Sequence, residues 1–183
     1  MSSSAASTAA ARSVFRRFRR NRRGSAAVEF ALVAPVFFAL LFAIIETAIM
    51  FFASQVLETV TQNSARQILT GTAQGSSYPD WSHFRDGVVC AQIPALFSCP
   101  KIYVDVKSYS AFSSVTINSQ IDANDNFDAS TLSYSPGGPG NIVVVRLFYQ
   151  WPLFVTGLGY NISNLSGNQR LLVATAAFQN EPY

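Results

Sequence analysis

Two carboxylates, Glu29 and Glu46, stand at the start and the far edge of a long apolar run. A charge at bilayer depth persists only when it is paired, snorkels to the headgroups, or marks a functional contact. Cys90 and Cys99 close the short segment VCAQIPALFSC, a spacing that fits a disulfide in an oxidising compartment, with two free buried thiols as the alternative. With two thiols and one histidine, the chain has too few ligands for a thiolate or imidazole zinc site, and neither metal nor cofactor is expected. Asp122, Asn124, Asn126 and Asp128 alternate as in a calcium loop. Phe127 replaces the required glycine and Ser133 the closing glutamate, so a solvated turn is the better reading. His83, near Asp80 and Asp86, has no nucleophile motif around it and reads as a surface or helix-cap residue. Nothing resembles G-x-S-x-G, H-E-x-x-H or a phosphate loop, and no catalytic residue is expected.

Charge is distributed unevenly. Seven of the thirteen basic residues, Arg12, Arg16, Arg17, Arg19, Arg20, Arg22 and Arg23, precede Gly24, and no acid does. From Ser25 onward six basic and ten acidic residues leave a net −4. A basic run elsewhere suggests nucleic acid. Against an apolar stretch it is a topology signal that holds the N-terminus in the cytoplasm and attracts anionic headgroups. A membrane is therefore the expected partner, nucleic acid is not, and the chain beyond about residue 53 is sent to the outer side. That side is the oxidising one, which favours the Cys90–Cys99 disulfide.

The elements that position these residues follow from periodicity. Residues 1–11 are Ser/Ala-rich and expected to be disordered, and 12–23 suit a short amphipathic helix on the inner leaflet. Phe30 to Ile45 is uninterrupted and apolar, roughly 24 Å as a helix, so spanning a bilayer core of about 30 Å draws in Thr47 to Phe52 as well. A run this long and bulky does not suit a cleaved secretory signal. Ala53, Leu57, Val60, Ser64 and Ile68 then recur at helical spacing, with Glu58, Gln62 and Arg66 opposite, and Gly71 is the expected stop. After a Gly71–Ser77 linker, Pro79–Val89 reads as a short helix with Trp81, Phe84 and Val88 on one side. Lys101–Tyr109, Asn141–Gln150 and Arg170–Phe178 read as strands, the first with Ile102, Val104 and Val106 inward and Asp105 and Lys107 outward. Ser119–Gly140 reads as a long loop. The expected fold is α+β: a long N-terminal helix, transmembrane below and amphipathic above, packed by a small antiparallel sheet with one short helix. Its divisions are a leader (1–24), a membrane helix (25–70) and an extracytoplasmic domain (71–183).

Within the helix, Ala31, Pro35, Ala39, Ala43 and Thr47 fall at four-residue spacing. Such a stripe lets a partner helix approach closely in lipid, and Glu46, beside it, is expected to hydrogen-bond across the contact.

The string Arg23-Gly24-Ser25-Ala-Ala-Val-Glu29-Phe30, opening an apolar helix, resembles the processing site of type IV prepilin-like proteins of the tight-adherence (Tad) pilus. GSAAVEFALVAP, the polar continuation of the helix and the ending AFQNEPY resemble TadE-like proteins in particular. The resemblance implies cleavage after Gly24 by a membrane-embedded prepilin peptidase, with Ser25 becoming the N-terminus and Glu29 its fifth residue, followed by an aromatic. Flp-type pilins more often show Tyr where this chain has Phe30. It further implies a non-catalytic minor pseudopilin of the bacterial inner membrane, with a periplasmic C-terminal domain. Its partners would be the peptidase, other Tad pilins or pseudopilins and membrane assembly proteins, with entry into the fibre as one possible fate. The competing reading is an unprocessed, single-pass, membrane-anchored periplasmic binding module; a membrane-tethered enzyme is disfavoured.

Overall fold

The computed structural model describes residues 24–75, 78–156 and 160–183. The expected disordered tail (1–11) and Arg-dense amphipathic helix (12–23) lie outside these residues. The fold is α+β, with one long helix, short helical segments and a three-stranded antiparallel sheet among the described residues. The chain divides into two compact units, Met1–Ile44 and Ile45–Tyr183.

The long helix α1 (Ser25–Leu69) runs through both units and includes Pro35. In the first unit its large side chains face outward, Leu32 being 74% and Phe30 68% exposed. In the second unit exposure continues through Ile45, Ile49, Phe51 and Phe52, and then ends. α1 is long and apolar enough to cross a membrane, the one such helix among the described residues.

Beyond Phe52 the apolar side chains turn inward. Ala53, Leu57, Val60, Ser64 and Ile68 are all buried, as their spacing requires. Burying a Leu57 or Ile68 side chain contributes about 1.5–3 kcal/mol each. Thr61 and Ala65 widen the buried face with small residues. The Thr61 hydroxyl donates to the Leu57 carbonyl at 2.7 Å, which satisfies it inside the helix.

α1 stops because Gly71 takes φ +75°, a left-handed cap, and its N–H donates to the Ile68 carbonyl at 3.1 Å. The C-terminal tail closes over this end, with the Glu181 N–H donating to the Leu69 carbonyl at 3.0 Å. A Cβ on Gly71 would overlap the Tyr183 ring. Gly71→Ala is therefore expected to lose about 1–2 kcal/mol, from the positive φ and the displaced ring. Adding Tyr183→Ala should relieve the overlap and recover part of the loss; chemical unfolding of the detergent-solubilised chain measures both.

The expected linker is partly wound, as Thr72–Gly75 forms the one-turn helix α2. The expected helix over Pro79–Val89 starts later. Asp80 caps α3 (Trp81–Phe84) by accepting from the Ser82 and His83 backbone N–H groups. The winding then widens to a π-type turn, Arg85–Val89, and tightens over Cys90–Gln92. Phe84, Val88 and Val89 are buried. Trp81, expected beside them, is 42% exposed, with the Arg85 guanidinium 5.2 Å over its ring.

The strands β1 (Ile102–Tyr109), β2 (Ile142–Pro152) and β3 (Gln169–Gln179) form a meander in that order. Val104 lies opposite Leu147, and Arg146 opposite Thr175. Ile102, Val104 and Val106 join Leu57 and Ile68 in the main core, as alternation anticipates. Asp105 overturns the expectation of a solvated outer face, since it is 1% exposed. The reason lies in the loop over 119–140. Ile121, Phe127 and Leu132 pack on Phe148, Leu165 and Leu171 and cover the second face of the sheet. The same loop pairs with the outer edge of β1: the Val106 N–H donates to the Ser133 carbonyl and the Ser135 N–H to the Val106 carbonyl, both at 2.8 Å. β2 is consequently buried along both faces.

Candidate functional site

The chemistry-bearing residues fall into separate groups. In the first unit, a side chain at Gly24 would meet nothing within 4 Å among the described residues beyond its chain neighbours. Glu29 and Phe30 are exposed. Ala31 and Pro35 are exposed, Ala39 is half-buried and Ala43 is buried.

The second unit holds Glu46, which is 9% exposed. Its two carboxylate oxygens accept from consecutive backbone amides at the end of β2. The Phe154 N–H donates to Oε1, and the Val155 N–H to Oε2 at 3.0 Å. The next helix residue, Thr47, exchanges a hydroxyl hydrogen bond with Tyr160. Two successive helix positions thus tie down the chain that leaves the sheet. Glu46 thus has two donors within the chain, in addition to the partner-helix contact expected of it. The physical reason is reciprocal: a carboxylate in apolar surroundings needs donors, and the amides past the last strand pair need acceptors. The intervals of 108 and 109 residues carry no sequence signal, which is why these partners could not be anticipated.

Cys90 and Cys99 are joined, with Cα atoms 5.6 Å apart. The bridge holds the end of the helical segment against the approach to β1. It also presents Phe97, which meets the Tyr149 ring edge-on at 5.0 Å and Trp151 at 6.1 Å. Asp86 lies close to both sulfurs, but sulfurs in a disulfide are not thiolate ligands.

Asp105 and Arg146 form a buried ion pair missed by the sequence reading. Arg146 Nη2 lies 2.7 Å and Nε 3.1 Å from Asp105 Oδ2. Asp105 Oδ1 accepts from the Ser133 N–H at 2.8 Å, and Arg146 Nη1 donates to the Asn118 carbonyl at 3.0 Å. The available signal was an arginine inside the apolar strand NIVVVRLFYQ, which needs a buried counter-charge.

The remaining polar groups are built locally. Asp122 Oδ1 accepts from the Asn124 and Asn126 backbone N–H groups at 2.8 Å. These bonds hold its carboxyl below the usual range and make an Asx-type turn. The Asp80 carboxyl is held far below its ordinary value, first by the Ser82 hydroxyl and then by the His83 amide and ring. Ser82, Asp80 and His83 do not form a nucleophile triad. The carboxylate sits between the other two, Ser82 Oγ donating to Oδ1 and His83 Nδ1 meeting Oδ2. The imidazole therefore has no place to take the serine proton. The geometry is that of a helix cap.

What remains is a long apolar helix that opens on an exposed glycine and an exposed glutamate. Residues 24–66 match the family of TadE-like proteins. The TadE-like segment begins at Gly24 and ends three residues before α1 does. It contains Ser25, Glu29, Phe30, the small-residue stripe, Glu46 and Thr47. No curated protein and no solved structure matches the chain.

Proposed function

We propose that this protein is a minor pseudopilin, an assembly component of a Tad-type type IV pilus and secretion system. α1 anchors it in the inner membrane with the Arg-rich leader in the cytoplasm and residues 71–183 in the periplasm. A prepilin peptidase cuts after Gly24. The match to TadE-like proteins, which opens at the proposed cleavage residue, carries this reading.

Physical chemistry supports each part. Seven arginines before the helix set the orientation. Cleavage removes them and, with them, the electrostatic hold on the inner leaflet. The new amine at Ser25 then lies one helical turn from Glu29, whose exposed carboxylate pairs with it or with that of a neighbouring subunit. The small residues Ala31 and Pro35, both exposed, and the half-buried Ala39 serve close approach to another membrane helix. The protein acts by association and has no catalytic role.

N-terminal sequencing of the membrane-extracted protein tests this. Ser25 is expected as the first residue in cells that hold the peptidase, and the intact leader in cells that lack it. Gly24→Arg should retain the leader in both. Because no described residue beyond its neighbours surrounds Gly24, that variant reports on the peptidase and not on folding. Wild type that keeps its leader beside an active peptidase would instead be the unprocessed, anchored binding module.

A further inference from the structure

We propose that the end of β2 forms a second membrane contact, with Phe154 set into the headgroup–acyl boundary where α1 leaves the bilayer and Glu46 fixing its depth. This rests on reading α1 as a membrane span.

Depth is the first argument. The exposed apolar surface of α1 extends to Phe51 and Phe52, each 62% exposed. Glu46 lies six residues nearer the membrane, roughly 9 Å at about 1.5 Å per residue. The Phe154 and Val155 amides are bonded to its carboxylate. Phe154 is therefore held at a level where the helix still shows phenylalanine to its surroundings, and it is itself 85% exposed. A phenyl group so exposed is stable in the boundary layer of a lipid and costly in water.

Chemistry is the second. The residues bonded at this level, Phe154, Val155 and Tyr160, carry no charged side chain. A chain at this depth cannot carry charges without partners. Its backbone also needs internal acceptors, because lipid offers none. Glu46 supplies them for two consecutive N–H groups, and these in turn satisfy the carboxylate. Tyr160, with its hydroxyl bonded to Thr47, supplies an amphipathic ring of the kind that favours this boundary.

Spin labels decide the matter. The full chain, its native disulfide intact, is labelled at Phe154→Cys, Phe51→Cys or Phe112→Cys and placed in phosphatidylethanolamine–phosphatidylglycerol vesicles. Phe112 is the water reference because of its position: it is 61% exposed and follows Tyr109, which pairs with Ile142 at the end of the sheet opposite Pro152. Accessibility to oxygen relative to a nickel chelate should be several-fold higher at 154 than at 112 and close to that at 51. Adding Glu46→Ala should bring 154 towards 112 with 51 unchanged, whereas Glu46→Gln, which keeps an acceptor oxygen, should hold 154 in place. A value at 154 equal to that at 112 overturns the proposal. So does exclusion of both reagents, which would mean a protein covers the residue. If 154 stays at the lipid value in Glu46→Ala, Glu46 does not set the depth. A water-like value at 51 would overturn the span itself, a distinct failure.

Discussion

Asp105→Ala is expected to destabilise the protein by about 3–5 kcal/mol, the range for removing one partner of a buried ion pair. Asp105 and Arg146 are 1% and 4% exposed. The substitution leaves a guanidinium with no counter-charge at 2.7 Å, and it orphans the Ser133 N–H. The nearest other cation, Lys107, stands 3.6 Å from Asp105 Oδ1 and can only repel Arg146 once the carboxylate is gone. The stacking of Arg146 on Phe148, 5.1 Å to the ring centroid, persists but does not replace a charge partner. The loss should appear as an earlier urea midpoint, read by near-ultraviolet circular dichroism on the detergent-solubilised chain. Asp105→Leu combined with Arg146→Met should recover most of it, because an apolar pair of similar volume removes both desolvation penalties. A single-variant loss below about 1 kcal/mol would mean that water reaches the pair.

Phe84→Ala is expected to cost about 3–5 kcal/mol through the cavity it leaves. Phe84 is fully buried. Its ring meets Tyr78 edge-on at 6.1 Å and Tyr134 at 5.5 Å. α3 reaches the core through this side chain, so the variant should also loosen the helical segment that carries Cys90. Tyr134 offers a second readout, since its buried hydroxyl has no hydrogen-bond partner among the described residues. Burial first, with Asp80 and Tyr78 adding, pushes its phenol up to about 12 from 10.0. The folded form thus binds the proton more tightly than the unfolded chain. Stability is fully present below pH 10 and falls as pH rises towards 12. Opening the Phe84 site to water should shrink this alkaline loss. An unchanged alkaline limb in the variant would show that the phenol is screened by other groups.

Local pattern was enough for much of this molecule. The apolar run and the 3–4 spacing of Ala53, Leu57, Val60, Ser64 and Ile68 define α1 and its inward face, because helix geometry repeats over a few residues. Gly71 marks the stop because a left-handed cap suits a residue without a Cβ. The strand positions agree to within a residue or two at each end, and period-two alternation assigned Ile102, Val104 and Val106 to the core correctly. The short Cys90–Cys99 interval closes as a bridge. The string from Gly24 to Phe30 is legible as a resemblance at any level of structure, because a peptidase would read it as sequence.

The tertiary structure decided what covers each face. Alternation states that Asp105 and Arg146 share a side of the sheet, but not that a polar loop folds over that side through Ile121, Phe127 and Leu132. A loop rich in Asn, Asp and Ser reads as solvated, because its few apolar residues have no period. The ending AFQNEPY, which resembles that of TadE-like proteins, acquires a physical role only in the fold. There Asn180 is buried, and its side-chain amide donates to the Pro136 and Gly138 carbonyls at 2.9 and 3.1 Å. Glu46 changed most. Its cost in an apolar run was evident from the chain, whereas its partners were not. Pairings across 41 and 108 residues depend on where the whole chain returns, and no local periodicity encodes that return.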